Sequence, residues 1–149
     1  MEFTIDISPL YRGLEAPKDR TGRVGILTDS PNKKTTNAVI AAANEREYGW
    51  VTGLGTFVPP RSTIRLPLSV REDEIKKAAA DNITELDNLD GAINAMGQAC
   101  LDAIHDAFKT GGYGQWPKNA PSTIEKKGRN EPMVDDGILE NAYSYEVDE

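Results

Sequence analysis

Few residues in this chain have the types and spacing needed for acid–base or metal chemistry. His105 is the single histidine and Cys100 the single cysteine. On a helix, five residues turn the chain by about 500°, so these two side chains do not share a face and do not form a zinc site. Cys100 is therefore predicted to lie in the core. A lone cysteine also excludes an internal disulfide and fits a reducing compartment.

Two adjacent carboxylates, Asp135 and Asp136, lie near the C-terminus. Such a pair suits acid–base catalysis, and a hydrolase that combines it with His105 is one hypothesis. Capping of a short helix explains at least one of the two aspartates without catalysis, and no Gly-x-Ser-x-Gly motif accompanies them. We therefore predict that the chain is not an enzyme, with no catalytic, cofactor-binding or metal-binding residues and no cofactor.

Glycine-rich and basic segments are weak signals for a ligand. Gly53–Gly55 lacks the third glycine of a dinucleotide loop, and Gly111–Gly114 is not followed by the Lys-Ser or Lys-Thr of a phosphate loop. Basic residues gather at Lys33–Lys34 and within Lys126–Arg129. Neither cluster has interleaved aromatic residues, so a solvated face is the simpler interpretation. A small nucleic-acid-binding module remains an alternative function.

Length and charge set the broad class of protein. The 149 residues suffice for one compact domain with a core, so a single domain is predicted over residues 1–149. No apolar run approaches the roughly 20 residues that span a bilayer, and no membrane partner is expected. The net charge of −7 arises in residues 131–149, which hold acids but no lysine or arginine. This acidic C-terminal arm is either a solvated tail or a contact for a basic partner.

Local patterns predict strands near both ends of the chain and a helix after the second. Period-two alternation indicates strands at Phe3–Ile7, Arg23–Thr28 and Ala142–Val147. The alanine-rich segment Thr36–Tyr48 favours a helix that ends at Gly49. The predicted apolar side of that helix consists of Ala38, Ile40 and Ala41. The glycines and prolines within residues 53–60 then indicate an irregular connection.

Two longer helices follow, and they are expected to pack as a helical hairpin or to cover one sheet together. Ser69–Glu72 has the spacing of a capping box at the start of the first. Asp90 is the predicted N-cap of the second, which Gly111–Gly112 ends. The apolar face of the first comprises Ile75, Ala79, Ile83 and Leu86. That of the second comprises Ile93, Met96, Cys100, Leu101, Ile104 and Phe108.

Beyond these helices the chain contains shorter elements. Trp116–Pro117 is a predicted anchor within a loop, and Pro121–Lys127 is a predicted short helix capped by Gly128. Another short helix is expected between the two aspartates and Asn141. Strands at both ends with helices between them predict the α+β class. The expected fold is a mostly antiparallel sheet packed by two longer helices, with short C-terminal helices and a closing strand.

The C-terminal block resembles a known family of virion proteins. Pro121–Gly128, Glu131–Leu139 and Glu140–Val147 are similar to the signature of phage neck and tail-completion proteins, also called virion-morphogenesis proteins. That signature runs Pro-x-Thr, a Lys-Gly turn, Pro-Leu-Ile-Asp-Thr-Gly-x-Leu, and an alternating strand. Asp136 stands where the family usually has threonine.

Upstream segments extend the resemblance from about Val24 to Val147. Val24–Leu27 resembles the first core strand of the family, and Ala41–Gly49 resembles its alanine-rich helix. Val58–Arg65 resembles its Ile-Pro-Ala-Arg-Pro-Phe-Leu-Arg turn, with Ser-Thr in place of Pro-Phe. Residues 1–22 are not covered.

The resemblance implies a structural virion protein that forms a ring, typically hexameric, at the phage head–tail joint. Such a subunit is assembled in the host cytoplasm and completes the tail. Its expected partners are copies of itself, the head-connector (stopper or adaptor) protein and the tail-terminator protein, while DNA passes through the lumen without sequence-specific binding. The residues expected at subunit or partner contacts are Pro59, Pro60, Arg61, Pro132, Met133, Val134, Asp135, Asp136, Gly137, Leu139 and Tyr143.

Overall fold

The computed structural model describes residues 2–3, 21–28, 36–83, 89–128 and 137–148. The predicted α+β class is confirmed, with antiparallel sheets, helices between the terminal strands and a closing C-terminal strand. The helices are α1 Asn37–Tyr48, α2 Arg65–Val70, α3 Glu72–Asp81, α4 Asp90–Thr110 and α5 Pro121–Lys127, with a 3-10 helix at Glu140–Ala142. The strands are β1 Glu2–Phe3, β2 Gly22–Gly25, β3 Trp50–Val51, β4 Phe57–Val58 and β5 Ser144–Val147.

A three-stranded antiparallel sheet joins the two ends of the chain in the order β1-β2-β5. Val24 lies opposite Tyr145 in this sheet and is fully buried. The second strand is shorter than predicted, because it ends at Gly25, whose φ of 144° is not a regular strand conformation. Of the predicted strand Phe3–Ile7, residues 4–7 lie outside the described residues.

Helix α4 is the centre of the fold, since it packs on the three-stranded sheet with one face and on α3 with the opposite face. The predicted stripe is confirmed, because Ile104 and Phe108 are buried in one core cluster with Val24 of β2. The opposite face carries Ala99 and Ala103 against α3. At 100° per residue the two faces lie roughly half a turn apart. The small side chains on the second face let α3 approach closely.

The start of the first longer helix differs from the prediction. Helix α2 already begins at Arg65, so Ser69 lies inside it and the capping box is wrong. After one residue at Arg71 the chain continues as α3, without a side-chain cap. Asp90 is the first residue of α4 instead of its N-cap.

Helix α1 confirms the predicted bounds but not the predicted apolar side. Ala38 and Ala41 are exposed, and the residue that α1 buries is Glu47. An acid can be buried in this way only when hydrogen bonds satisfy its oxygens. The irregular connection predicted after α1 is instead a hairpin, formed by β3 and β4.

Glycine caps and the tryptophan anchor are confirmed. Gly111 and Gly128 end their helices in the left-handed conformation, with φ of 64° and 68°. Trp116 is 6% exposed and packs edge-on against Phe108, with 5.5 Å between ring centroids. Gly112 lies against the Trp116 indole, where a side chain would clash.

Part of the acidic C-terminal arm belongs to the sheet. The Arg23 guanidinium lies 3.1 Å from Glu146 and 3.5 Å from Asp148, and the Asp148 amide donates to the Thr21 carbonyl. These contacts connect the end of the C-terminal arm to β2 and the residue before it. In the part of the chain that the structure describes, no helix has the length and apolarity to cross a membrane.

Candidate interaction surface

Large apolar side chains are exposed on and beside the β3–β4 hairpin. Leu54 at the tip is 95% exposed, while Val51 and Phe57 are 64% and 61% exposed. Tyr48, just before β3, is 65% exposed. Single exposed apolar residues are ordinary, but a contiguous group is typical of a contact site.

The hairpin has one face toward the body and one toward solvent. Residues directly opposite on antiparallel strands share a face. Trp50 pairs with Val58, and both are half-buried. Val51 pairs with Phe57, and both are exposed. The second pair and the tip residue Leu54 together form the outer apolar surface of the hairpin.

Hydrogen bonds within the turn give this tip a defined shape. The Thr52 amide donates to the Thr56 carbonyl at 2.9 Å, and the Thr56 amide donates to the Thr52 hydroxyl at 3.1 Å. Gly55, with φ of 80°, donates its amide to the Thr52 carbonyl at 2.9 Å. The turn therefore presents Leu54 to solvent on an ordered backbone.

Gly49 connects α1 to the hairpin through a position that only glycine fits. Its φ is 77°, and its amide donates to the Glu45 carbonyl at 2.7 Å to end the helix. A Cβ atom at this position would lie 2.7 Å from the Val58 carbonyl oxygen. The hairpin can therefore fold back beside the end of α1 only because no side chain intervenes.

The buried Glu47 carboxylate fixes the base of the hairpin. Its Oε2 accepts the backbone amides of Thr63 at 2.7 Å and Ile64 at 3.1 Å. Its Oε1 accepts the Ser62 hydroxyl at 2.7 Å and the Arg65 Nε at 2.8 Å. The carboxylate thus caps the N-terminus of α2 and binds it to the last turn of α1. These two points lie on either side of the hairpin in sequence, so Glu47 holds both of its ends.

Glu47 is buried in its charged form. Burial by itself raises the pKa of this carboxyl, but the hydrogen bonds from Arg65, Ser62 and the backbone amides of Ile64 and Arg65 outweigh it. The pKa of Glu47 therefore lies below its usual value of 4.5.

Tyr143 extends this network into the core. Its hydroxyl lies 2.6 Å from the Thr63 hydroxyl, and the residue is 4% exposed. Burial raises the pKa of Tyr143 to about 12, so it stays protonated at neutral pH. Tyr143 was predicted at a partner contact, but in the single chain its side chain supports the hairpin from inside.

Arg61 likewise points into the protein. It is 7% exposed, and it donates to the carbonyls of Pro117 at 2.8 Å and Lys118 at 2.9 Å. The neighbouring Trp116 donates its indole N–H to the Ser62 carbonyl at 3.1 Å. The turn after β4 is therefore fastened to the loop that follows α4.

Two arginines lie over exposed or half-buried rings at the hairpin base. The Arg46 guanidinium is 4.4 Å from the Trp50 ring centroid, and that of Arg65 is 4.8 Å from the Tyr48 ring centroid. Both distances are within the range of a cation–π contact. The hairpin base thus carries two cations, of which Arg65 is ion-paired with Glu47.

The remaining predicted contact residues occupy varied positions. Pro60 is exposed next to the hairpin, and Pro59 is half-buried. Gly137 and Leu139 are half-buried, with Leu139 against the core. Five predicted residues lie outside the described part of the chain: Pro132, Met133, Val134, Asp135 and Asp136. The structure therefore places Tyr143 in the Glu47 network and Arg61 against the loop after α4, and it leaves the role of the others a prediction.

The hairpin surface itself was not among the predicted contact residues. A signal for it exists, because the thirteen residues from Tyr48 to Pro60 contain no charge in a chain that is 28% charged. The glycines at positions 53 and 55 are typical of an irregular connection, so the pattern does not indicate the two short strands on either side of them. The role of Glu47 has no comparable signal, since its partners are 15 to 18 residues away.

A groove between α3 and α4 is the second notable surface feature. It has a volume of about 220 Å³, with Ile75, Ala99 and Ala103 at its base. Its other lining residues are the charged Arg71, Glu74, Asp102 and Asp106. This volume is below the range of about 300–1,000 Å³ that is typical of small-molecule sites.

The described residues offer no candidate site for a metal ion. They contain no group of three or more His, Cys, Asp or Glu placed to hold a metal ion. Cys100 is 3% exposed, as predicted for a core residue, and burial raises its pKa to about 11. Since both aspartates of the hydrolase hypothesis lie outside the described residues, the expectation of no enzymatic activity stays a prediction.

No protein-family model, curated protein or solved structure matches this chain. A functional proposal therefore depends on its own residues and their geometry.

Proposed function

We propose that this chain is a structural virion protein that forms a hexameric ring at the head–tail joint of a tailed bacteriophage. The observation that carries the proposal is the ordered hairpin with its exposed apolar surface, led by Leu54 at 95% exposure. Apolar side chains in the buried centre of a contact, surrounded by a polar rim, are the usual composition of a subunit interface. The resemblance of Pro121–Val147 to phage tail-completion proteins supports this kind of assembly.

In this role the chain is a virion component without catalytic activity, assembled in the host cytoplasm. One side of the ring binds the head-connector protein, and the other binds the tail-terminator protein. DNA passes through the lumen, and the net charge of −7 disfavours binding of its phosphates to the ring.

The test compares the oligomeric state of the wild-type protein with that of Leu54→Asp, by light scattering after size exclusion and by negative-stain imaging. We expect rings from the wild type and at least about tenfold weaker association of the variant, because a charge at an apolar contact costs more than 1.4 kcal/mol. Ala41→Asp, at an exposed position of α1, is the matched control and should assemble normally. A monomeric wild-type protein that binds neither head-connector nor tail-terminator protein would contradict the proposal.

A nucleic-acid-binding module is the second candidate, and one observation favours it. Arg46 over Trp50 and Arg65 over Tyr48 alternate cations with rings, which is the composition of a single-strand platform. Binding of fluorescent single-stranded DNA is measured at low and high salt. Affinity that falls steeply with salt and is lost in Tyr48→Ala supports this candidate, while no binding at low salt excludes it.

A further inference from the structure

The hairpin has the properties of an inserting element. Its outer surface is apolar and no residue from Tyr48 to Pro60 is charged. Its base carries Arg46, which lies over the Trp50 ring, and Arg65, which is ion-paired with the buried Glu47. A partner surface that fits it needs an apolar floor with negative charge at the rim.

The α3–α4 groove has those properties. Its apolar lining residues are Ile75, Ala99 and Ala103, which form the floor. The volume of the groove is too small for a typical ligand but suits one or two apolar side chains. Three of its charged lining residues are acids, Glu74, Asp102 and Asp106. The single basic lining residue, Arg71, already donates to Glu74 and Asp106. Asp106 also lies 3.7 Å from the Lys109 ammonium, so the negative charge that the groove keeps is mainly that of Asp102.

Both surfaces are open on the same chain. The apolar residues of the hairpin are exposed, and none of them lines the groove. Two different patches that complement each other between copies make a head-to-tail contact, and such contacts close into rings when the rotation permits. A symmetric contact of hairpin with hairpin would instead place Arg46 of one copy near Arg46 of the other, with like charges opposed.

We infer that the β3–β4 hairpin of one copy inserts Leu54 into the α3–α4 groove of the next copy, with Arg46 at the hairpin base facing the acidic rim of the groove. This inference rests on the proposed ring and identifies the contact that builds it. The occupant of the groove is thus a second copy of this chain.

Directed cross-linking tests the contact. The double variant Leu54→Cys, Ala99→Cys is treated with a short bismaleimide and separated under denaturing conditions. We expect a ladder of covalent oligomers that ends at the ring size, while each single variant stays monomeric. Native Cys100 gives little background because it is 3% exposed and its raised pKa leaves little thiolate. The wild-type chain, treated identically, measures that background.

Several outcomes separate this inference from the proposed function. Dimers from Leu54→Cys alone would show hairpin-to-hairpin contact and overturn the inference, even if the wild type forms rings. Ring formation by the wild type, with no covalent ladder from the double cysteine variant, would also overturn the inference. A ladder from a protein that binds neither head-connector nor tail-terminator protein would support the contact and contradict the phage role.

A mixing experiment tests the same contact without cysteines. Leu54→Asp disables the hairpin, and Asp102→Arg reverses a charge at the groove. We expect each variant alone to associate at least about tenfold more weakly than the wild type. Mixed, they should give dimers, since each mixed pair retains one intact hairpin and one intact groove. Failure of the mixture to dimerise, with both variants folded by circular dichroism, would overturn the inference.

Discussion

At the scale of single residues, Glu47 has the most consequential contacts. One buried carboxylate satisfies amides at the start of α2, a serine hydroxyl and an arginine, and it thereby fixes both ends of the exposed hairpin. Without this carboxylate, buried donors would have no hydrogen-bond partner. These hydrogen bonds therefore contribute more to stability than an ordinary surface ion pair.

The charge of Glu47 predicts a pH dependence of stability. Because the pKa in the folded protein lies below 4.5, the unfolded chain binds a proton first as the pH falls. The contribution of Glu47 is therefore complete above about pH 4.5 and is lost as the pH falls through the folded-state pKa. Glu47→Gln should lower the free energy of unfolding at pH 7 by about 1–3 kcal/mol.

Urea denaturation of both proteins between pH 3 and pH 7 checks this. The difference in free energy between them should shrink as the pH falls below 4.5, because the unfolded wild-type chain then takes up a proton, and it should be smallest below the lowered folded-state pKa of Glu47. A difference that is constant over the whole range would contradict the role of the charge.

At the scale of elements, the close approach of α4 to β5 depends on Gly97. In a helix interior, alanine normally stabilises by about 1 kcal/mol relative to glycine. At this position a Cβ would clash with the Tyr145 ring, which packs directly on the helix. Gly97→Ala should therefore lower the free energy of unfolding, by about 1–2 kcal/mol after the helical gain is included.

A double-mutant cycle provides the control. In a Tyr145→Val background the clash is removed, so Gly97→Ala should become neutral or stabilising. Thermal or chemical denaturation of the four proteins measures the coupling. Independent, additive effects of the two substitutions would refute this account of the packing.

At the scale of the whole molecule, the C-terminal strand closes the fold. Strand β5 pairs with the central strand β2, and Tyr145 covers the face that contacts α4. Truncation after Tyr143 should therefore abolish cooperative unfolding, because Val24 and the sheet-facing side of α4 would become exposed. Circular dichroism on heating monitors the loss.

The acidic charges of this strand contribute less than its backbone. The double variant Glu146→Gln, Asp148→Asn keeps the strand but removes the two carboxylate charges that lie beside Arg23. We expect a change within about 1 kcal/mol, as for other partly exposed ion pairs. A truncated protein that still unfolds cooperatively, or a double variant as unstable as the truncation, would contradict this division of roles.

The sequence by itself determined the features that depend on local periodicity and on capping. The stripe on α4, the helix α1 with its terminal Gly49, the helix α5 and the alternating strand β5 all follow from side-chain spacing within a few residues. The class of fold followed from their order along the chain.

Only the tertiary structure decided how these elements use their faces. Nothing in the sequence around Glu47 distinguishes it from a solvated acid. It is a buried cap because the hairpin brings Ser62, Thr63 and Arg65 back to its carboxylate, where they donate hydrogen bonds. The hairpin strands are only two residues long, too short for a pattern of alternation, and are held by the network at their base. Contacts between residues distant in sequence set these positions, and spacing along one segment does not encode them.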